Sequence, residues 1–439
     1  MEPLTIGIIS IILLLILLGL GFQIGLNFLL VGVISASMII GFNHVLTLLG
    51  ETMYYSINSP GFAAIPLFVL MGAFASRGGF AKKAYDGIHI ATAGLPGSLG
   101  IATCYSCAAF GAVSGSSLAT AAIFGRLVLP EMIRYKYNRS LALGCIASAG
   151  TFAAMIPPST MFIVYAIFTD TSVGRLFAAG IIPGLVTATV YSLSIIYRVK
   201  KNPELAPTIE GEKQIIFKQR IIALKKTGPI LTLALIVLGG IYSGLFTPTE
   251  AAAAGAFATL IFGIRLGKLG NLRNINQSLR ESAQTTSMVF LIIVGALFYS
   301  RTLALTRIPM ELSMLVQGWD VPRIYILGAI LFIWFLLGMI IIPTGIIALT
   351  LPIVFPIVTS LGYDPIWFGV ICLKLGEIAA VTPPVGLNVY ALKGVAGEDT
   401  TIEDVFSGIW PFVVCDIIVL IFLILFPQIC LFLPNLLLG

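Results

Sequence analysis

Charge is scarce in this sequence: Lys, Arg, Asp and Glu make up 10% of 439 residues, against 58% hydrophobic residues. The mean hydropathy of +1.04 excludes a water-soluble globular chain and implies an integral membrane protein. Histidine is almost missing. Neither His44 nor His89 has a carboxylate or hydroxyl arrangement around it that would make a nucleophilic site. Cysteine offers little more, since the Cys104-x-x-Cys107 pair lies in a Gly/Ala/Ser-rich apolar segment without a nearby His or a second pair. That context argues against metal or dithiol chemistry. Cys145, Cys372, Cys415 and Cys430 are scattered through apolar runs and read as packing residues. No G-x-x-x-x-G-K-S/T loop is present, so the chain is read as handling no nucleotide. The first apolar run, Leu4 to Leu20, lacks the basic lead-in and small-residue cleavage site of a leader and is read as a retained helix. The net charge of +6 is a matter of topology rather than of nucleic acid, because eight of the 25 Lys and Arg fall between Arg198 and Lys226.

What is present is a proline pair in an unusual place. Pro157 to Tyr165, PPSTMFIVY, lies within thirty residues that carry no charge, Ser140 to Thr169, and Pro383 to Tyr390, PPVGLNVY, is a second copy. Proline removes a backbone donor and clashes with the preceding turn, so Pro-Pro at mid-depth splits an apolar helix in two. A split membrane helix presents carbonyls, N–H groups and helix ends, the groups that coordinate ions and solutes near the bilayer midplane.

Apolar runs long enough to cross a ~30 Å hydrocarbon core are, in the first half, Leu4–Leu20, Gly25–Phe42, Gly61–Ser76, Ser140–Thr169 and Leu176–Tyr197. The piece Ser98–Pro130 is too small and polar at its centre, Gly111–Gly125, to face lipid. It reads as a re-entrant helical hairpin with its tip at Ser114–Ser117. The polar stretch Arg198–Lys226 is a basic linker, cytoplasmic by the positive-inside rule. The clusters Lys82/Lys83, Arg134/Lys136/Arg139 and Arg265/Lys268/Arg273 fall on the same side, which puts the N-terminus outside. The second half offers Gly228–Phe246, Ala251–Ile264, Thr285–Ser300, a charge-free hairpin Ile324–Gly362 with IIIPTG at its tip, a broken segment Ile366–Leu392 and a last span from about Ile409. Asn43–Pro60 reads equally as a span or as an interfacial amphipathic helix.

The halves correspond. Pro130 to Pro157 and Pro356 to Pro383 are both separated by 27 residues, an offset of 226 that Gly150 and Gly376 also keep. GAFASR at Gly72–Arg77 answers GALFYSR at Gly295–Arg301. The charge pattern runs the copies in opposite directions. The expected fold is therefore an all-α polytopic membrane protein built as an inverted repeat. Residues 1–197 and 228–439 form the two halves, with residues 198–227 as linker. Each half has about five spans, one hairpin (98–130 and 324–362) and one broken helix (140–169 and 366–392). That is the plan of secondary transporters, with the site where the repeats meet.

The candidate cation ligands follow from the tips and breaks, since a hard monovalent cation wants a dehydrated cage of oxygens. They are Ser114, Gly115, Ser116 and Ser117 at the first tip, Pro157 and Ser159 at the first break with Gly150 upstream, Thr344 and Gly345 at the second tip, and Thr382 and Gly386 at the second break with Gly376 upstream. Ser116, Pro158, Ser159, Thr344, Pro384 and Asn388 are the solute candidates, and Asn388 is the most telling because a buried amide must find partners. Glu377 reads either as a structural ion pair with Lys374 on the same helical face or as a proton- or cation-coupling group. Glu250 in TPTEA reads as a helix-start carboxylate, with Thr249 as the cap. Asp416 and Arg126 are placed near segment ends, where their side chains reach the interface.

Five motifs, SGSSLATAAIFG, ASAGTFAAMIPPS at Ala147–Ser159, LFAAGIIPG at Leu176–Gly184, GLFTPTEAAAAG at Gly244–Gly255 and TPPVGLNVY at Thr382–Tyr390, closely resemble the large membrane subunit of tripartite ATP-independent periplasmic (TRAP) transporters. The resemblance covers nearly the whole chain in order. It implies sodium-driven import of an organic acid, such as a C4-dicarboxylate or sialic acid, across the bacterial inner membrane by an elevator movement. It also implies two partners, a small four-helix membrane subunit and a periplasmic substrate-binding protein, and it places the sodium and substrate region on the two tips and two breaks. Ile342 departs from the pattern, since many members carry an acidic residue just before the second tip's Pro-Thr. A self-sufficient ion-coupled anion carrier of a related inverted-repeat family is the alternative. A membrane scaffold has no use for paired breaks, and an enzyme would need a nucleophile, base or metal constellation that is not found.

Overall fold

The computed structural model describes residues 2–58, 60–209, 216–266, 268–318 and 320–438. Lys213 and the rest of residues 210–215 in the expected linker lie outside them. Every regular element among the described residues is helical. In order these are α1 (Pro3–Gly19), α2 (Ile24–Ile40), α3 (Phe42–Ile57), α4 (Ala64–Arg77), α5 (Phe80–Thr92), α6 (Ser98–Ser114), α7 (Ser117–Arg134), α8 (Arg139–Ala149), α9 (Phe152–Met155), α10 (Thr160–Thr169) and α11 (Val173–Lys201). Then come α12 (Phe217–Leu224), α13 (Gly228–Ala234), α14 (Gly240–Tyr242), α15 (Pro248–Arg265), α16 (Leu272–Leu305), α17 (Ile308–Gln317), α18 (Arg323–Gly338), α19 (Pro343–Ser360), α20 (Pro365–Val381), α21 (Leu387–Lys393), α22 (Ile402–Leu425) and α23 (Gln428–Leu438). Among the described residues, five helices are long and apolar enough to cross a bilayer, and seven if two bent pairs each count as one span.

Local chemistry sets the boundaries. Pro3, Pro248, Pro343 and Pro365 stand in first turns, where a missing N–H costs nothing. Asn138 caps α8 by accepting from the Leu141 N–H at 3.1 Å, and Asp364 caps α20 by accepting from the Ile366 N–H at 2.7 Å. Two of the boundaries that differ from the sequence reading are set by capping boxes. The cap of α15 is Thr247 rather than Thr249: its hydroxyl accepts from the Glu250 N–H at 3.3 Å while Glu250 accepts from the Thr247 N–H at 2.8 Å, a reciprocal capping box. The last long span starts at Ile402 rather than Ile409, because Asp404 and Thr401 form a second capping box. Acidic residues that resemble a loop are the first turn of a helix.

α6, α8 and α20 are almost entirely buried and form the centre of the molecule. A helix apolar on all faces finds its place there. Helices approach closely where glycine removes the side chain. A Cβ at Gly144 or Gly408 would collide with the backbone of the facing helix, so α8 and α22 cross in direct backbone contact. α4 lies on α15 and α16 on α2, α8 on α22 and α20 on α11, and α10 on α19 and α21 on α7.

Candidate functional site: two tips and two breaks around one cavity

The first tip is built by sequence-local bonds. α6 ends at Ser114, Gly115 takes the left-handed conformation with φ 58°, and Ser116 caps α7 by accepting from the Ala119 N–H at 3.4 Å. Thr120 donates to the Ser116 carbonyl at 2.8 Å and lies 3.0 Å from the Ser114 hydroxyl. Gly115 is required twice over. Its φ favours glycine, and a Cβ there would sit 2.9 Å from the Pro158 carbonyl of the first break. Thr160 Oγ1 donates to the Gly115 carbonyl at 3.4 Å, so tip and break meet directly. Under the tip, Gly72 of α4 leaves room for the Ser114 carbonyl, which a Cβ would approach to 2.5 Å.

The first break interrupts its helix twice: α8 stops at Ala149, α9 is one turn, and residues 156–158 bend the chain before α10 starts at Thr160. The two pieces are bent by 44°. In the second break, α20 ends at Val381, and Gly386, at φ 62°, opens α21. Both Pro-Pro bonds are cis. The breaks differ in burial: Pro157, Pro158 and Ser159 are buried, whereas Pro384 is exposed.

One cavity of about 830 Å³ touches all four features. The first tip lines it with Ser114, Gly115, Ser116 and Ser117, the first break with Thr160 and Met161, the second tip with Ile342, Pro343 and Thr344, and the second break with Leu387 and Asn388. Pro157, Pro158 and Ser159 do not line it, and neither do Thr382, Pro384 and Gly386. Thr382 Oγ1 donates within its own helix to the Ile378 carbonyl at 2.5 Å, and Gly386 packs against Phe406. Gly150, Gly345 and Gly376 are packing positions, facing Ala121, Ile24 with Ile341, and Pro343 with Trp334. The site-residue pattern therefore divides into a lining set and a supporting set.

Two side chains are buried without partners where the pieces meet. Asn388 is fully buried with neither Oδ1 nor Nδ2 bonded, and the hydroxyl of fully buried Ser159 has no partner either. An unmade hydrogen bond at a buried group costs about 1–3 kcal/mol, so such groups point to a ligand that completes them. The donors are hydroxyl, amide and backbone carbonyl oxygens, a set that fits a hard monovalent cation and a polar solute. Among the described residues no three His, Cys, Asp or Glu side chains converge as a divalent-metal site would need.

The structure corrects two readings of charged residues. Asp416 is not near the end of its helix; it lies fourteen residues into α22 and is fully buried. Its carboxylate accepts from Lys374 Nζ at 2.5 Å and from the Tyr191 hydroxyl at 2.6 Å, and Lys374 also donates to Thr187 at 3.3 Å. Glu377 is therefore not the ion-pair partner of Lys374, and its Oε2 is unpartnered. Arg126 is exposed and is one of the residues that line the cavity. The sequence reading also missed Arg77, which pairs with Glu281 and donates to Gln277 Oε1 at 2.9 Å; Arg77 and Glu281 both line the cavity. GAFASR was noticed only as one half of a repeat. Helical spacing does carry a signal for Arg126, because Ala119, Ala122, Ile123 and Arg126 share one face of α7 and all four line the cavity.

Residues 11–429 match the family profile described as tripartite ATP-independent periplasmic transporter, DctM component. The chain belongs to this family. It is the large subunit of a TRAP transporter and a multi-pass membrane protein. It is 34% identical over 374 residues to the C4-dicarboxylate TRAP transporter large permease protein DctM of Pseudomonas aeruginosa, covering 85% of this chain and 86% of that one. It is 30% identical over 391 residues to the sialic acid TRAP transporter large permease protein SiaM of Vibrio cholerae, covering 89% and 90%. The fold is shared with the crystal structure of the Alcanivorax borkumensis YdaH transporter at a TM-score of 0.58, with 13% identity and coverage of 89% and 90%. The Pseudomonas and Vibrio relatives are named as TRAP large permeases for C4-dicarboxylate and for sialic acid, and the TRAP large subunit described here is a transport protein.

Proposed function

We propose that this TRAP large subunit imports a carboxylate-bearing solute in symport with sodium across the bacterial inner membrane. A periplasmic binding protein delivers the solute, and a small four-helix membrane subunit completes the complex. The observation that carries the reading is one cavity whose wall takes in both tips and both breaks and includes the orphaned amide of Asn388. Relatives named for C4-dicarboxylate and sialic acid support the class of solute. The two halves act as inverted repeats. The hairpins and broken helices travel together with the solute against the outer helices, as an elevator. Sodium bound at the oxygens of the tips and breaks favours the solute-competent arrangement, and the coupling equals its difference in affinity between the two states. Acid and ion are thereby held where the low dielectric strengthens their polar contacts.

The test is labelled organic-acid uptake by Ser116→Ala and Asn388→Ala variants of the reconstituted complex. Loss of a hydrogen bond to a charged group is worth about 1.5–3 kcal/mol. Each variant is expected to need about tenfold more sodium or acid for the same rate. Unchanged sodium-dependent uptake in both would show that the site lies elsewhere.

A further inference from the structure

The cavity wall contains three charged side chains among the described residues, and two of them are spent on each other. Arg77 is paired with Glu281 across the gap between α4 and α16. The third, Arg126, is exposed into the cavity and makes no hydrogen bond or ion pair among the described residues. It stands ten residues beyond Ser116 on α7, about 15 Å along the helix axis, between the tip and the basic cluster Arg134, Lys136 and Arg139. Side chains on a helix lean toward its N-terminus, and the N-terminus of α7 is the tip. The small residues Ala119 and Ala122 share its face of α7 and line the same cavity, so they leave the space between Arg126 and the tip open to a solute. A guanidinium binds a carboxylate through two parallel hydrogen bonds, more strongly than any neutral donor in the wall.

We propose that Arg126 is a carboxylate-docking residue, a subsite separate from the tips and breaks that receives the anionic end of the acid as it passes from the tips through the cavity. This rests on the organic-acid reading above. The Arg77–Glu281 pair leaves Arg126 as the unengaged cation for an entering anion. A neutral solute would gain nothing from it.

The experiment reconstitutes the complete three-component complex in liposomes with an inward sodium gradient and uses labelled succinate and labelled N-acetylneuraminate as probes. For whichever acid the natural complex imports, Arg126→Gln is expected to lower the uptake rate at limiting acid by at least about tenfold. Arg126→Lys should restore part of that loss. The sodium concentration for half-maximal uptake and the thermal midpoint of the purified variants should not move, since neither the tips nor the core involve this side chain. Uptake by Arg126→Gln equal to that of the natural complex overturns the proposal and leaves the organic-acid reading standing. Equal losses in the Lys and Gln variants overturn it as well, because the charge would then be unused. Absence of uptake of either acid by the natural complex defeats the organic-acid reading and this subsite together.

Discussion

Asn388 and Asp416 are both fully buried polar side chains, and their surroundings give them opposite roles. Asp416 is saturated: Lys374 and Tyr191 donate to its two oxygens, and Thr187 completes the lysine. Removing one member leaves the other charge buried and alone, a loss of about 3–5 kcal/mol. Asp416→Ala is expected to lower the thermal midpoint of the purified protein sharply. A paired Lys374→Met, Asp416→Leu replacement should recover most of the loss, since an apolar pair of similar volume fills the same space. An Asp416→Ala midpoint equal to that of the natural protein would show that the cluster does not stabilise the core. Asn388, by contrast, has no internal partner, so its replacement is expected to spare stability and to cost function. The candidacy of Asn388 was legible in the sequence, because an amide in an apolar run must be satisfied somewhere. The role of Asp416 was not. Its partners lie 42 and 225 residues away, and no local pattern joins them.

At the scale of the helices, prolines and glycines carried most of what could be read, because they act through their own backbone. The Pro-Pro pairs marked both interruptions, and Ser-Gly-Ser-Ser marked the turn between α6 and α7. The start of α22 was missed because Glu403 and Asp404 look like loop residues until the capping box is seen. The additional interruption at Gly150–Thr151 leaves no proline signature at all. Glycines also set the distance between elements, which sequence alone does not show. α8 and α22 touch through Gly144 and Gly408, where a Cβ would meet backbone and not a flexible side-chain end. Gly408→Ala should force the helices apart and lower the thermal midpoint. Gly239→Ala, at a position where a Cβ meets nothing within 4 Å, should leave it near that of the natural protein. An equal midpoint for both would mean that the close crossing is not needed. Gly115→Ala joins two costs, a left-handed φ of 58° and a Cβ 2.9 Å from the Pro158 carbonyl, and is expected to depress uptake by displacing the tip from the break.

For the molecule as a whole, the packing of α10 on α19 and of α21 on α7 brings both tips and both breaks to one cavity. The offset of 226 residues is the sequence's argument for two copies. How the copies interlock depends on contacts between residues two hundred positions apart, so the cavity and the arginines in its wall, Arg77 and Arg126, emerged only with the fold. If sodium stabilises the loaded arrangement of both copies, solute uptake must depend on the sodium gradient and on the protein that delivers the solute. The decisive measurement is uptake of labelled succinate and N-acetylneuraminate into liposomes holding this chain and its small subunit, with and without an inward sodium gradient and with and without the binding protein. Uptake of an organic acid that requires both the gradient and the binding protein is the predicted result. Uptake that proceeds without sodium, or by this chain alone, would contradict the account.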